Sequence, residues 1–275
     1  MTRTMKILSI ILCCFCLTTV NSQELKDSLY KESKKMDIEG KLANQIELLE
    51  KVIRIDSAYL PAIEDLAYIY IYDQPNFLLS KTLLDKVEKD SLNPKFARIY
   101  AVRGYLLNQN NFYQEALIDL NIAIKLDSSN SDFYYNRGLV HNNLKNYSLA
   151  INDYTKALNI NPLDGRVNYN RGLVYAAIRE FDKAISDYSI DLKINGPTAK
   201  AHNNRGRCYM ILNDFENALA DYQKALELEP KRPLTLHNLG LLYLRNGDSK
   251  KGCPYLKEAK ELGYPDTKIY DQYCK

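Results

Sequence analysis

A glycine recurs at one fixed spacing from residue 104 onward, and this feature constrains the fold more than any other. It occupies five positions that lie 34 residues apart: Gly104, Gly138, Gly172, Gly206 and Gly240. A second small residue follows each glycine by twelve positions: Ala116, Ala150, Ala184, Ala218 and Gly252. A constant period of this length indicates stacked copies of one supersecondary unit.

Each period reads as two antiparallel helices joined by a short turn. The small residues let the two helices approach closely, and aromatic residues fill the wider gaps: Tyr175, Tyr209 and Tyr243 on first helices, Tyr154, Tyr188 and Tyr222 on second helices. Pro162 and Pro230 end second helices, because proline lacks the backbone donor and restricts the residue before it. One such helix pair cannot bury its apolar face alone, so neighbouring pairs must stack.

These small, aromatic and proline positions resemble the tetratricopeptide-repeat (TPR) family over four successive units, from Ala97 to Arg232. The chain has no Trp, and Tyr100, Tyr134, Asn168 and His202 occupy the place of the family's usual Trp. The resemblance implies an all-α, right-handed TPR solenoid of about six to seven helix-turn-helix repeats. The predicted units are 26–59, 60–96, 97–130, 131–164, 165–198, 199–232 and 233–266, followed by a capping helix at 267–275.

The N-terminus has the pattern of a secretory signal peptide. Arg3 and Lys6 precede an apolar run from Ile7 to Val20, and small residues lead to a cleavage point after Ser22. We therefore expect residues 1–22 to be removed and the protein to be exported to the periplasm, the cell envelope or the medium. The run is short for a transmembrane helix, and membrane association is expected only if the leader is retained or lipidated.

The near-neutral charge of the mature chain gives no sign of a partner that is recognised mainly by its charge. The formal net charge is +3, and loss of the leader removes two of the cations, which leaves a mature chain close to neutral. We therefore expect no nucleic-acid partner.

Three of the six cysteines lie in the leader, and the mature chain keeps Cys208, Cys253 and Cys274. Cys208 lies two residues after a packing glycine and is expected to be a core thiol. In an exported protein, a disulfide between Cys253 and Cys274 would pin the tail over the last unit. The alternative is two unpaired, partly buried thiols, since sequence does not determine the pairing.

An arginine directly precedes four of the glycines, and an aspartate follows each arginine by sixteen residues. The last unit has lost both partners together, with Leu239 and Tyr255 in their places. A charge beside a packing glycine normally needs a fixed partner, so structural ion pairs are expected and an anion-binding role is the less favoured alternative. The predicted pairs are Arg103 with Asp119, Arg137 with Asp153, Arg171 with Asp187, and Arg205 with Asp221.

In TPR proteins the first helices of successive units line a concave groove that binds peptides or protein segments. Carried over by position, the resemblance implies a groove with a row of tyrosines, several amides and a few cations, and tyrosine and arginine are favoured binding anchors. The alternative is a solvated face with ordinary packing tyrosines. The predicted groove residues are Arg98, Tyr105, Tyr135, Asn142, Arg166, Tyr169, Lys200, Asn203, Arg207 and His237.

Catalytic motifs are lacking in the sequence. His141, His202 and His237 form no metal-ligand spacing with Cys, Asp or Glu, and neither a phosphate-binding loop nor a nucleophile motif is present. We therefore expect neither an enzyme nor a cofactor or metal site. The predicted function is a scaffold that binds a protein or peptide in its groove. The alternative is an assembly subunit of an envelope complex that uses its convex face or its ends.

Overall fold

A computed structural model of the protein describes residues 22–73, 76–85, 97–266 and 268–274. The predicted leader, residues 1–22, lies outside the described residues except for Ser22. The chain forms two compact units, residues 1–128 and 129–275. All regular elements of the described residues are α-helices, which confirms the predicted all-α class. Among these helices, none has both the length and the apolar character needed to cross a membrane.

The N-terminal unit, residues 1–128, consists of helix hairpins packed around an aliphatic core. Its helices are α1 (22–38), α2 (Leu42–Ile55), α3 (Leu60–Tyr72), α4 (Phe77–Leu84), α5 (Ala97–Gln109) and α6 (Tyr113–Leu126). Leu49, Ile63 and Leu84 are fully buried in this core. The polar first helix is held by an ion pair, in which Lys26 Nζ lies 2.8 Å from Asp56 Oδ2.

The C-terminal unit, residues 129–275, contains four regular hairpins and a short terminal helix. Within each hairpin the two helices pack against each other, and each second helix also packs on the next first helix. The helices are α7 (Ser131–Asn143), α8 (Tyr147–Ile160), α9 (Gly165–Ala177), α10 (Phe181–Asn195), α11 (Ala199–Ile211), α12 (Phe215–Leu228), α13 (Pro233–Arg245), α14 (Ser249–Glu261) and α15 (Lys268–Tyr273).

The recurring glycines are required by the close approach of the two helices in a hairpin. A Cβ added to Gly138 would come 2.6 Å from Cε1 of Tyr154, and one added to Gly172 would come 2.9 Å from Cε1 of Tyr188. Both tyrosine rings are almost completely buried. The glycine of the first helix therefore makes room for the aromatic ring of the second, which explains the common period of the two residues.

The turn inside each regular hairpin uses a left-handed residue that the sequence analysis did not identify. Positive φ angles recur every 34 residues, at Asn111, Lys145, Arg179, Asn213 and Gly247. In the turn at Arg179 the amide of Glu180 donates to the carbonyl of Tyr175, and the amide of Arg179 donates to that of Ala176. This pattern is a Schellman motif, which satisfies the last carbonyl groups of the first helix.

Two second helices differ from the regular pattern. A proline is well tolerated only in the first turn of a helix, but α14 begins at Ser249, so Pro254 lies inside it. Proline at this position leaves one helical hydrogen bond unmade. The helix α10 continues to Asn195 and ends at Gly196 with φ of 81°, whereas α8 ends at Ile160 before its proline.

Candidate functional site

The predicted ligand-facing residues of the C-terminal unit lie on its first helices and differ in exposure. Arg166, Lys200 and Arg207 are exposed, while Tyr135, Tyr169 and Asn142 are half-buried. We call these six residues the first-helix surface. In the N-terminal unit, the predicted Arg98 is exposed and Tyr105 is half-buried, both on α5.

Hydrogen bonds between successive first helices hold the tyrosines of this surface in place. The Asn170 side-chain amide donates to the hydroxyl of Tyr135 over 3.1 Å, and the Asn204 amide donates to the hydroxyl of Tyr169 over 3.1 Å. Burial raises the pKa of Tyr169, so its phenol is protonated at neutral pH. The sequence analysis did not predict these two hydrogen bonds.

Two of the predicted groove residues are buried, and a ligand-contact role does not fit them. Asn203 is 1% exposed, and its Oδ1 accepts a hydrogen bond from Asn238 over 3.0 Å. It occupies the repeat position of Tyr169 but lacks the ring, so its side chain stays beneath the surface. His237 is also buried, and its ring stacks on Tyr264 at a centroid distance of 4.1 Å.

Arg166 is exposed but already paired. Its Nη2 lies 2.7 Å from Asp164 Oδ2 and 3.2 Å from Asp132 Oδ1, the latter on the preceding hairpin. The hydrogen bond that Arg166 donates to Asp164 is the main reason that the pKa of Arg166 lies above its ordinary value. A ligand that uses this guanidinium must therefore compete with two carboxylates.

The four predicted arginine–aspartate pairs are present in the structure, each as two parallel hydrogen bonds. The distances from arginine Nε and Nη2 to the carboxylate are 2.6 and 2.7 Å for Arg103–Asp119, 2.8 and 2.7 Å for Arg137–Asp153, 2.8 and 2.8 Å for Arg171–Asp187, and 2.8 and 2.8 Å for Arg205–Asp221. All four carboxylates are buried. Bidentate geometry of this kind is the strongest form of a charge-assisted hydrogen bond.

Three of these arginines also bond to the preceding hairpin: Arg103 Nη1 donates to Asp85 Oδ1 over 3.2 Å, and two others donate to hydroxyl groups. Arg171 Nη1 donates to Thr155 Oγ1 over 3.1 Å, and Arg205 Nη1 donates to Ser189 Oγ over 2.9 Å. Each hydroxyl lies sixteen residues before its arginine, on the second helix of the neighbouring unit. These guanidinium groups therefore join two hairpins as well as the two helices of one hairpin.

Comparison with known protein families identifies the type of repeat. Models of the tetratricopeptide repeat match residues 131–163, 199–232 and 221–253. Over these residues the chain carries tetratricopeptide repeats. A comparison with curated proteins found no significant match.

Solved TPR structures share this fold at low sequence identity. A TPR protein from Parabacteroides merdae ATCC 43184 is 18% identical, with 91% of this chain and 97% of that chain covered at a TM-score of 0.62. YrrB, a TPR protein with an unusual peptide-binding site, is 23% identical, with 68% and 95% covered at a TM-score of 0.59. MamA from Desulfovibrio magneticus RS-1 is 22% identical, with 60% and 94% covered at a TM-score of 0.58. These similarities confirm the predicted TPR fold.

One TPR hairpin departs from its neighbours through a buried carboxylate that sequence reasoning missed. Asp191 lies on α10 where α8 has Ala157 and α12 has Ala225, and it is 4% exposed. Its Oδ1 accepts a hydrogen bond from Asn195 Nδ2 over 2.7 Å, and burial raises its pKa. The comparison with alanine at the other two positions was the signal that could have revealed it.

The cysteines of the last TPR hairpin are joined. Cys253 on α14 and Cys274 after α15 form a disulfide in the structure. An ion pair between Lys260 Nζ and Asp271 Oδ1, at 3.1 Å, also joins the two segments. Cys208 is a buried free thiol, and burial raises its pKa to about 11, so it is a poor nucleophile at neutral pH.

The remaining histidines belong to the ion-pair layer of the TPR hairpins. His202 Nδ1 lies 2.8 Å from Asp221 Oδ1, while His141 Nε2 lies 3.9 Å from Asp153 Oδ2. Burial lowers the pKa of His141, which favours its neutral form at neutral pH. Within the described ranges, no group of three His, Cys, Asp or Glu side chains could hold a metal ion.

Proposed function

We propose that this protein is a non-catalytic scaffold that binds a peptide or protein segment on its first-helix surface. The observation that carries this proposal is the pair of amide-to-phenol hydrogen bonds that fix Tyr135 and Tyr169 on successive helices. Tyrosines held in place before binding lose little side-chain entropy when a ligand arrives, and they offer a large contact area with a polar end.

The hydrogen-bond direction at Tyr169 also suits a peptide ligand. Its hydroxyl oxygen accepts from Asn204, and its own proton donates to no other group in the described part of the chain. That proton is available for a backbone carbonyl of a bound segment. The exposed cations Lys200 and Arg207 lie on α11, the first helix of the next hairpin, and supply further donors.

The similarity to solved TPR structures supports an interaction role. YrrB has a peptide-binding site on the same fold, and this chain aligns with nearly the whole of it. We further propose that the leader directs the protein out of the cytoplasm, to the periplasm or another part of the cell envelope. The expected partner is a protein or peptide, with no nucleic acid and no cofactor.

A capture experiment with matched variants tests the proposal. The mature chain and a triple variant with Tyr135, Tyr169 and Arg207 changed to alanine are used to capture partners from the native envelope fraction, and the captured proteins are identified by mass spectrometry. The matched control changes three exposed second-helix residues to alanine: Asn152, Ser186 and Gln223. We expect a partner that the wild type and the control retain and the triple variant loses.

Folding and hydroxyl effects are separated by further measurements. Far-ultraviolet circular dichroism must show the same helicity for both triple variants. A milder variant, Tyr135→Phe with Tyr169→Phe, keeps the rings and removes only the hydroxyl groups, so we expect weaker but measurable capture. If all variants retain the same partners, the first-helix surface is not the binding site, and the assembly role through the convex face or the ends is favoured.

A further inference from the structure

Cleavage of the proposed leader after Ser22 makes a glutamine the first residue of the mature chain. This residue, Gln23, lies at the beginning of α1, and it is exposed together with Glu24 and Leu25. An N-terminal glutamine is chemically unusual because its free α-amino group can reach the carboxamide of its own side chain. In the mature chain both reacting groups would therefore stand at an accessible end of the protein.

The carboxamide of Gln23 is held by a carboxylate on the same helix. Its Nε2 donates to Asp27 and lies 3.3 Å from Oδ1 and 3.1 Å from Oδ2. The two residues are four positions apart, which places their side chains next to each other on the helix surface. A carboxylate in contact with a reacting nitrogen can accept a proton and return it. The nitrogen that would leave on cyclisation is thus already in contact with a proton carrier.

The first turn of α1 is fixed to the rest of the N-terminal unit directly after this point. Lys26 is 6% exposed, and its Nζ lies 2.8 Å from Asp56 Oδ2 and 4.7 Å from the centre of the Tyr59 ring. A buried cation that has both partners keeps the helix in place. The helix therefore keeps Asp27 within one turn of Gln23 after the leader has been removed.

The helix dipole favours loss of the charge that cleavage creates. A free α-ammonium group on Gln23 would lie at the positive end of the α1 dipole, where a cation is unfavourable. Glu24 and Asp27 offset part of this cost, since acidic side chains are favourable in the first turn of a helix. A lactam removes the terminal charge and leaves both acidic side chains in their favourable places.

We propose, on the basis of the leader proposed above, that Gln23 becomes a pyroglutamate in the mature protein and that Asp27 carries the proton for its formation. The neutral α-amine attacks Cδ of its own side chain, and the new N–C bond closes the lactam. Asp27 takes the proton that the α-nitrogen loses and returns it to Nε2. The Cδ–Nε2 bond then breaks and ammonia leaves, so the reaction balances without an oxidant or any other co-reactant.

The lactam protects the exposed end of α1. It offers no free amine, so an aminopeptidase cannot begin at this end. Removal of Gln23, Glu24 and Leu25 from an unmodified chain would bring the enzyme to Lys26, which holds α1 through its ion pair with Asp56. The modification therefore preserves the contact that fixes the first helix of an exported chain, where exposed termini are the preferred sites of proteolysis.

Mass spectrometry of the protein isolated from its native cells tests the modification. Digestion with pepsin in acid keeps any free α-amine protonated, and therefore unreactive, during preparation. We expect an N-terminal peptide that starts at Gln23 and is lighter than its sequence by one ammonia. The control variant Gln23→Asn keeps the carboxamide but lacks one methylene group, so its ring would be strained and no ammonia should be lost.

The outcomes separate the modification from the other proposals. An N-terminal peptide that starts at Gln23 with a free amine would overturn the modification and keep the leader. A peptide that starts at any other residue would overturn both. Binding by the first-helix surface is unaffected by either result, because Tyr135 and Tyr169 are tested by capture of the partner.

The role of Asp27 is tested on the purified mature chain, released from an N-terminal fusion by a protease that leaves Gln23 as the first residue. Intact mass then follows the loss of ammonia with time at neutral pH. Asp27→Asn can still accept a hydrogen bond but carries no proton, and we expect about tenfold slower conversion, a modest factor because the site is open to water. The control Asp37→Asn removes an exposed carboxylate from the other end of α1 and should keep the wild-type rate. Equal rates for the wild type and Asp27→Asn would overturn the role of Asp27.

Discussion

Replacement of Asp187 by alanine gives a direct test of the ion pairs between helices. The carboxylate accepts two hydrogen bonds of 2.8 Å from Arg171 and is 3% exposed. Its removal leaves the guanidinium with one described hydrogen bond, to Thr155. An arginine side chain is not deprotonated in proteins, so the charge of Arg171 remains after Asp187 is removed.

The expected loss of stability is large because the remaining charge is mostly enclosed. Loss of one partner of a buried ion pair costs about 3–5 kcal/mol in the free energy of unfolding. The Arg171 side chain is 17% exposed, so it reaches some water and the cost should fall near the lower end, about 3 kcal/mol. A purely surface pair would instead cost less than about 1 kcal/mol.

The last hairpin supplies a natural control. There Leu239 and Tyr255 replace the arginine and aspartate, and Tyr255 stacks on Tyr243 at a centroid distance of 5.9 Å. The double variant Arg171→Leu with Asp187→Tyr copies this arrangement and places the new tyrosine opposite Tyr175, the repeat equivalent of Tyr243. We expect it to recover most of the stability lost in Asp187→Ala, because no buried charge is left unpaired.

Urea unfolding monitored by far-ultraviolet circular dichroism measures both variants against the wild type. An unchanged unfolding midpoint for Asp187→Ala would refute the structural role of the pair. Loss of partner binding without loss of stability would instead favour the ligand-binding role for these arginines.

Three further substitutions test other features of the hairpins. Gly172→Ala should lower the free energy of unfolding by about 1–3 kcal/mol, because its methyl group would press on Tyr188, and differential scanning calorimetry should show a lower Tm. Asp191→Asn should stabilise the protein at neutral pH and much less below pH 4. Burial raises the folded-state pKa of Asp191. The wild type is therefore relatively stable when this carboxyl is protonated, and it loses stability as the pH rises through that pKa. An equal effect at both pH values in urea unfolding would contradict this reasoning. Arg179→Gly should raise the free energy of unfolding by about 0.5–1 kcal/mol, since glycine adopts the left-handed turn without steric cost, and a lower unfolding midpoint in urea would show that chain entropy outweighs the strain.

The sequence predicted those features that depend on one residue type recurring at one spacing. The 34-residue period predicted the hairpins, and a separation of sixteen residues placed Arg171 opposite Asp187 because every hairpin brings the same two positions together. The tail pairing of Cys253 with Cys274 remained one of two alternatives, since the sequence does not give the distance between α14 and the tail.

Other features depend on side-chain size and depth, which a period does not determine. Asn203 shares its repeat position with Tyr169, yet it is buried because it is too short to reach the surface. His237 is covered by Tyr264, which follows α14 and occupies the repeat position that holds a proline in two other units. Asp191 breaks the alanine pattern and became conspicuous only when its burial and its single hydrogen-bond partner were known.

The bonds from Arg171 to Thr155 and from Arg205 to Ser189 have a consequence for how the chain opens. Opening one hairpin in the middle of the array breaks a charge-assisted bond with the hairpin before it, so neighbouring units should open together. The last hairpin lacks this arginine and should open by itself when its disulfide is reduced. Amide hydrogen exchange should therefore show nearly uniform protection from α8 to α12 and, under reducing conditions, faster exchange that begins in α14.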